Sequence, residues 1–263
     1  MLELVAFLCG GAVMTLEMTG SRILAPYLGG SILVWTALIG VILAFLSVGY
    51  WLGGKLADNS PSVKKLAGII LAAAFSVLAI GLFHSGLLAA VGKLGLRTEF
   101  GAVLAAVALF GPSSLLLGMV SPYIVRVALQ LRGTPVEKSG ALIGRFAALS
   151  AIGSIAGTFL GGYFFISWIG SRMTVYMIAA LLMLVAALTI SAGRRPPGKK
   201  RKALFIGPVL GLVACALFSV LQFYRQYDEL ARGVVKTDTR YSHIVIMDAR
   251  TAEGRVLRQL YTP

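Results

Sequence analysis

The chain has 263 residues, of which 58% are hydrophobic and only 13% are charged, and its mean hydropathy is +0.87. A soluble domain averages about 45–50% apolar and about 25% charged residues, so the composition excludes a soluble globular protein and predicts an integral membrane protein. The net charge of +14 does not indicate a nucleic-acid partner, because the basic residues lie in the short segments between apolar stretches. The expected partner is the lipid bilayer.

Seven apolar stretches are long enough to cross a hydrocarbon core of ~30 Å, which takes about 20 helical residues. They predict helices at residues 2–24, 33–54, 66–91, 100–125, 143–168, 173–192 and 203–223. The predicted fold class is an all-α polytopic membrane protein. It divides into a six-helix bundle (1–192), a basic linker with a seventh helix (193–223), and a polar tail (224–263).

The distribution of basic residues predicts the orientation. The segments after the second, fourth and sixth helices hold thirteen lysines and arginines, against four after the first, third and fifth. The positive-inside bias therefore predicts a cytoplasmic N-terminus in a plasma membrane, such as the bacterial inner membrane. With a cytoplasmic N-terminus, seven helices would place the tail outside the cytoplasm. The basic residues of the tail favour the cytoplasmic side instead. A re-entrant stretch at 203–223, which does not cross the membrane, would explain a cytoplasmic tail.

Two short matches suggest that the six-helix bundle is an inverted three-plus-three repeat. The first match is a Pro-Tyr pair, which is Pro26 and Tyr27 at the end of the first helix and Pro122 and Tyr123 in the fourth. The second match is between "GYWLGGK" in the second helix and "GTFLGGY" in the fifth. Three helices per unit invert the second copy in the membrane, as in many transporters. The glycines of these matches recur every four residues and indicate either close helix packing or a substrate path.

The fourth helix contains Pro112 and Pro122. Each proline removes a backbone donor, so we expect a kink or an interruption there. Such a break is either ordinary architecture or the lining of a binding site, and both interpretations stay open.

Glu17 is the only acidic residue well inside an apolar stretch. A carboxylate there costs about 2.5–3.5 kcal/mol on the insertion scale, so it should face the bundle interior or a water-filled cavity. Arg22 lies five positions further on and is poorly placed for a pair within the helix. Either Gly20, which lies between them, loosens the helix, or Glu17 pairs with a basic residue on another helix, such as Arg126 or Arg145. The site is either a structural ion pair or a cation or proton site.

The segment "GGKLADNSPSVKK" after the second helix is similar to the cytoplasmic loop signature of the major facilitator superfamily. Gly54, Asp58, Lys64 and Lys65 fit that pattern, while Pro61 and Ser62 depart from it. Asp58 stands near a helix end, where it could cap the next helix or hold basic residues of a neighbouring segment.

The tail alternates polar and apolar residues in "YSHIVIMDA" and "RVLRQLY", with "RTAEG" between them as a turn. This pattern predicts a β-hairpin. An isolated hairpin is marginal in water, so we expect it to be the start of a larger soluble domain.

Three segments together resemble the membrane-bound spermidine-synthase-like proteins, which join a major-facilitator-like bundle to a spermidine synthase. They are "EMTGSRILAPYLGGSILVWTALIGVILAFLSVGYWLGGKLAD", "GRFAALSAIGSIAGTFLGGYFFISWIGSR" and "DTRYSHIVIMDARTAEGRVLR". The resemblance implies an aminopropyltransferase that uses decarboxylated S-adenosylmethionine, with a polyamine as its second substrate. In that family a methyltransferase-like domain follows the β-stranded subdomain and carries the catalytic aspartates.

On this resemblance we expect the chain to stop before that catalytic domain and to be inactive alone, with no catalytic residue, cofactor or metal of its own. Tyr241 falls where relatives carry a residue near the nucleoside, and it is the weak candidate for that contact. The predicted function is therefore membrane anchoring of a spermidine-synthase-like enzyme. The alternatives are a major-facilitator-like carrier of polyamines or other small solutes and a scaffold for a soluble partner; the oligomeric state stays open.

Overall fold

The computed structural model describes residues 1–133, 139–192, 207–221 and 224, together with the backbone of three short strands at 234–238, 243–250 and 256–261. The helices are α1 (Leu2–Leu28), α2 (Ile32–Asn59), α3 (Val63–Lys93), α4 (Thr98–Arg132), α5 (Gly140–Phe159), α6 (Ile166–Ala192) and α7 (Gly207–Leu221). A six-residue π-helical turn, Leu160–Phe165, joins α5 to α6.

Five helical tracts in the described part of the chain are long and apolar enough to cross a membrane: α1, α2, α3, α4 and Gly140–Ser191. The protein is therefore an integral membrane protein. The fifth tract has 52 residues, about 78 Å at 1.5 Å per residue, which is more than twice the hydrocarbon thickness. Gly170 divides it, since its φ of 81° and ψ of 161° are not helical. This break falls where the sequence predicts the boundary between the fifth and sixth helices.

The predicted seventh span is shorter in the structure. α7 has apolar character but covers Gly207–Leu221, and its 15 residues correspond to about 22 Å, less than the hydrocarbon core requires. The remaining residues of the predicted span, 203–206 and 222–223, lie outside the described residues, as does the basic linker 193–202. The seventh crossing stays a prediction.

Local sequence explains several of the helix ends. Ser62 is the N-cap of α3, where its hydroxyl accepts a hydrogen bond from the Lys64 backbone N–H at 3.3 Å. α4 ends at Gly133, which adopts the left-handed conformation with φ 60° and ψ 27°. Glycine takes this conformation without the strain that a Cβ would cause.

The main interfaces of the bundle pair α2 with α4, α1 with α5, and α3 with α6. The first two are contacts of backbone against backbone. A Cβ at Gly157 would overlap the carbonyl oxygen of Gly11 on α1, and a Cβ at Gly53 would lie 2.5 Å from the carbonyl oxygen of Met119 on α4. The packing role predicted for these glycines is confirmed.

A hydrogen bond reinforces the α1–α5 interface. The Thr15 hydroxyl lies 3.0 Å from the carbonyl oxygen of Gly157 and 2.9 Å from that of Gly11 in its own helix. In return, Ser154 of α5 donates to the carbonyl oxygen of Gly10 at 3.2 Å. Because these side chains are short, they bridge the two helices only where glycine allows close approach.

The two sequence matches of the predicted repeat differ in their structural environments. The glycines of α2 and α5 are alike, because both sets meet the backbone of a neighbouring helix. Tyr27 is 40% exposed, whereas Tyr123 is fully buried, so the Pro-Tyr match does not mark equivalent positions.

The described part of the tail is a three-stranded antiparallel sheet in the order β1 (Val234–Asp238), β2 (His243–Arg250), β3 (Val256–Tyr261). Lys236 of β1 lies opposite Val245 of β2, and Met247 of β2 lies opposite Gln259 of β3. β2 and β3 fall on the two segments that the sequence marks as a hairpin, and β1 is an additional strand.

Candidate functional site

A cavity of about 170 Å³ lies between α1, α2, α4 and α5. It is partly open to the surface of the bundle, since Leu43 and Tyr50 in its lining are 53% and 49% exposed. Its lining is mostly apolar and includes the thiol of Cys9 and the thioether of Met14 on α1. Four hydroxyl-bearing residues add the polar groups: Tyr50, Ser121, Ser150 and Ser154. The cavity contains no charged lining residue.

Three of these hydroxyls, those of Tyr50, Ser121 and Ser150, have no protein acceptor in the part of the chain that the structure describes. Ser121 and Ser150 donate to none of the described residues, whereas Ser154 donates to Gly10 across the interface. A hydroxyl in a helix interior commonly donates to the carbonyl four residues earlier, as Thr158 does to Ser154 at 2.9 Å. Ser121 and Ser150 therefore keep donors available to the cavity.

A second cavity, of about 330 Å³, adjoins the first. It opens where α1 begins and α4 ends, and Glu3 and Arg132 contribute its charged groups. Phe146 of α5 lines both cavities and is itself only 3% exposed. Phe146 is thus common to the lining of the inner, uncharged space and the outer, charged one.

Glu17 is half-buried on α1. It follows Met14 by three positions and Val13 by four, so it continues the stripe of α1 that faces the inner cavity, one turn beyond it. Within the described residues its carboxylate forms no ion pair or hydrogen bond. The expected partners are wrong: Arg126 and Arg145 pair with other acids.

Arg126 and the signature loop come together at one end of the bundle. The Arg126 Nε lies 3.3 Å from Asp58 Oδ1, so α4 holds the end of α2 through this pair. Of the two roles foreseen for Asp58, holding a basic residue is observed and capping α3 is not, since Ser62 is the cap.

The remaining signature residues surround this pair. Lys65 donates from Nζ to the Ser60 hydroxyl, Lys64 is exposed, and Gly54 has open space on its Cβ side. These residues fix the loop and do not converge on either cavity.

Tyr123 entered the sequence analysis only as part of the repeat, and no contact was predicted for it. Its buried hydroxyl donates to the carbonyl oxygen of Ser60 at 3.1 Å and accepts from the Ser62 backbone N–H at 3.2 Å. Tyr123 and Arg126, three positions apart on α4, therefore fasten both ends of the loop between α2 and α3. The sequence pattern that could have indicated this role is a tyrosine three positions before an arginine near the end of a helix, because residues at this spacing lie on the same helix face.

Glu3 forms the other ion-pair cluster at this end. Its two carboxylate oxygens lie 3.4 Å from Arg132 Nη2 and 3.0 Å from Arg145 Nη2. Glu3 thereby joins the start of α1 to the end of α4 and the start of α5. We call this end of the bundle, with Glu3, Asp58, Arg126, Arg132 and Arg145, the cationic face.

The other members of the predicted intramembrane site do not form one site. α4 is helical without interruption through Pro112 and Pro122, so the expected interruption is not observed, and a kink at either proline stays a prediction. The irregular backbone lies instead at the π-helical turn and at Gly170. Arg22 is half-buried near the opposite end of α1, five positions beyond Glu17.

Tyr241, the candidate for a nucleoside contact, lies outside the described residues. Within those residues, no group of three or more His, Cys, Asp or Glu side chains could hold a metal ion.

These observations define the class of protein: a polytopic helical membrane protein with a cavity that has no charged lining residue, near a cationic face. No protein-family model, curated protein or solved structure matches the chain. Neither the spermidine-synthase-like resemblance nor the major-facilitator-like one is supported by these comparisons.

Proposed function

We propose that this chain is the membrane-anchoring part of a spermidine-synthase-like protein. The supporting observation is the antiparallel sheet of β1, β2 and β3, which follows the apolar helices and covers the segment that carries the resemblance. Sheets of this size need a packing partner to be stable in water. In the proposed arrangement that partner is the methyltransferase-like domain, and the bundle holds it at the membrane surface.

This proposal assigns the chemistry to the enzyme domain and none to the bundle. The enzyme would transfer an aminopropyl group from decarboxylated S-adenosylmethionine to an amine, and the 263 residues here would supply only attachment. Tyr241, in this proposal, lies near the nucleoside.

The test compares membranes that contain the product of the complete gene with membranes that contain the 263-residue chain at equal amounts. Aminopropyl transfer to putrescine is measured with decarboxylated S-adenosylmethionine as donor. We expect activity only in the first preparation. Absence of activity in both, with the complete product folded and membrane-bound, contradicts the proposal.

A second candidate is a small-solute carrier, and the pairing of the helices favours it. In an inverted repeat α1, α2 and α3 correspond to α4, α5 and α6. Exchanging the two halves then turns the α1–α5 interface into the α4–α2 interface. The same exchange leaves the α3–α6 interface unchanged. These are the three main interfaces of the bundle. Carriers commonly place their binding site where such halves meet.

The carrier proposal is tested by uptake of labelled putrescine into vesicles that contain the purified chain. If Glu17 binds the cation, Glu17→Gln should lower uptake strongly, while Glu99→Gln, at the exposed start of α4, should not. Equal uptake by both variants, or no uptake above empty vesicles, rejects a polyamine carrier.

A further inference from the structure

The inner cavity between α1, α2, α4 and α5 is large enough for a small organic molecule. Its volume of about 170 Å³ is far above the roughly 10–15 Å³ that one water requires. Close packing is the rule in this bundle, since neighbouring interfaces bring backbone against backbone at Gly49 and Gly157. A space of this size beside such contacts is a distinct feature of the fold.

The polar groups of the cavity define what it could bind. Ser121 and Ser150 are half-buried and have hydroxyl donors without a described acceptor. A ligand with an acceptor oxygen or nitrogen would satisfy them. The rest of the lining is largely apolar and suits a hydrocarbon or aromatic body.

The absence of charge in the lining decides between ligand classes. No Asp, Glu, Lys or Arg lines the inner cavity; Glu17 lies a turn beyond it on α1, and Glu3 lines the outer cavity. Placing a dication such as putrescine in an uncharged, membrane-embedded cavity would be costly. An uncharged molecule avoids this cost.

We propose that the inner cavity is a binding site for a small uncharged molecule with an apolar body and one or two hydrogen-bonding groups. The ligand reaches it from the cationic face through the outer cavity and past Phe146, which lines both spaces. This inference goes beyond the anchoring function and does not depend on aminopropyl transfer, so the two can fail separately.

The chain contains its own reporter for the test. It has two cysteines, Cys9 and Cys215, and Cys9 lines the inner cavity. In the Cys215→Ala variant, reconstituted in lipid vesicles, the rate at which methyl methanethiosulfonate modifies Cys9 is followed by mass spectrometry. Benzyl alcohol serves as the uncharged probe and putrescine as the charged one.

We expect benzyl alcohol to slow Cys9 modification saturably, by about tenfold at ten times its half-saturating concentration, and putrescine to leave the rate unchanged. Ser121→Leu, which fills the cavity, should abolish the protection. Ser121→Ala with Ser150→Ala keeps the space and removes both donors, so it should raise the half-saturating concentration about fivefold.

The matched control is Ser47→Cys in a chain lacking both native cysteines, because Ser47 is exposed on α2 and outside the cavity. Its modification rate should not respond to benzyl alcohol. The proposal is overturned if Cys9 is unreactive, if benzyl alcohol leaves its rate unchanged, or if Ser47→Cys is slowed equally. Protection by putrescine overturns the assigned ligand class.

Discussion

The hydroxyl of Tyr123 lies 3.1 Å from the carbonyl oxygen of Ser60, and through this bond α4 holds the loop between α2 and α3. The tyrosine side chain is fully buried and the loop carries the signature residues. With the Asp58–Arg126 pair, the bond makes α4 the support of that loop.

Replacing Tyr123 with Phe should loosen the loop without disturbing the packing of the ring. The Ser60 carbonyl and the Ser62 N–H would lose their partner, which should lower the stability by about 1–3 kcal/mol. The measurement is thermal unfolding of the detergent-purified protein together with the rate of proteolysis at 58–63. Tyr163→Phe is the control, since Tyr163 is 61% exposed. Equal effects of both substitutions would contradict the role assigned to the Tyr123 hydroxyl.

The close contact of α1 with α5 predicts that a single methyl group at Gly157 is harmful. A Cβ there would overlap the backbone of Gly11, so Gly157→Ala should destabilise the protein by about 1–3 kcal/mol, as overpacking does. Gly162→Ala is matched to it, because a Cβ at Gly162 meets nothing within 4 Å. The melting temperatures of the two variants in detergent should differ clearly, and a Gly157→Ala variant as stable as Gly162→Ala would refute the contact.

The pairs of Glu3 with Arg132 and Arg145 should depend on salt. All three side chains are partly exposed, at 34%, 49% and 55%, so Glu3→Gln should cost no more than about 1 kcal/mol. Because exposed charges are screened, the difference from the wild type should shrink in about 1 M salt. Unfolding at low and high salt measures this, and a salt-independent difference would argue against an ionic origin.

Replacing Glu17 should stabilise the protein, whereas the substitutions above should destabilise it. Its carboxylate is half-buried in α1 and pairs with none of the described residues. Removing a charge from a membrane helix relieves part of an insertion cost of about 2.5–3.5 kcal/mol, so Glu17→Gln should raise the melting temperature. A marked fall would reveal a partner that stabilises the charge.

The membrane orientation is testable at two exposed positions on opposite ends of the bundle. Lys64 lies on the cationic face, and Gly30 lies in the α1–α2 loop at the other end. In a chain lacking native cysteines, a membrane-impermeant maleimide applied to intact cells should label Gly30→Cys and not Lys64→Cys. The reverse pattern would overturn the predicted cytoplasmic N-terminus.

Much of the helical architecture could be predicted from sequence because an apolar run of about 20 residues is a strong local signal. The glycine stripes likewise predicted the close helix packing. The partner of Glu17 could not be predicted in this way, since ion pairs between helices depend on how the helices are rotated and offset. The two arginines considered as partners of Glu17 form ion pairs with other residues: Arg126 pairs with Asp58 and Arg145 with Glu3.

The expected interruption of α4 at its prolines is absent for a related reason. A proline inside a helix removes one hydrogen bond, but the surrounding bundle holds α4 helical on both sides of Pro112 and Pro122. The inner cavity could not be predicted from the sequence either, because no periodic pattern distinguishes Ser121 and Ser150 from other helical serines. Only the arrangement of four helices brings them to one space.

The interfaces of α1 with α5 and of α2 with α4 have a consequence for biosynthesis. Each joins a helix from the first three to one from the last three, so the earliest segments leave the ribosome long before their closest neighbours exist. Until α4 and α5 are inserted, the glycine faces of α1 and α2 contact lipid or the insertion machinery. These faces carry Gly10, Gly11, Gly49 and Gly53. Assembly of the bundle is therefore a late event in translation, and it is completed only when the second half enters the membrane.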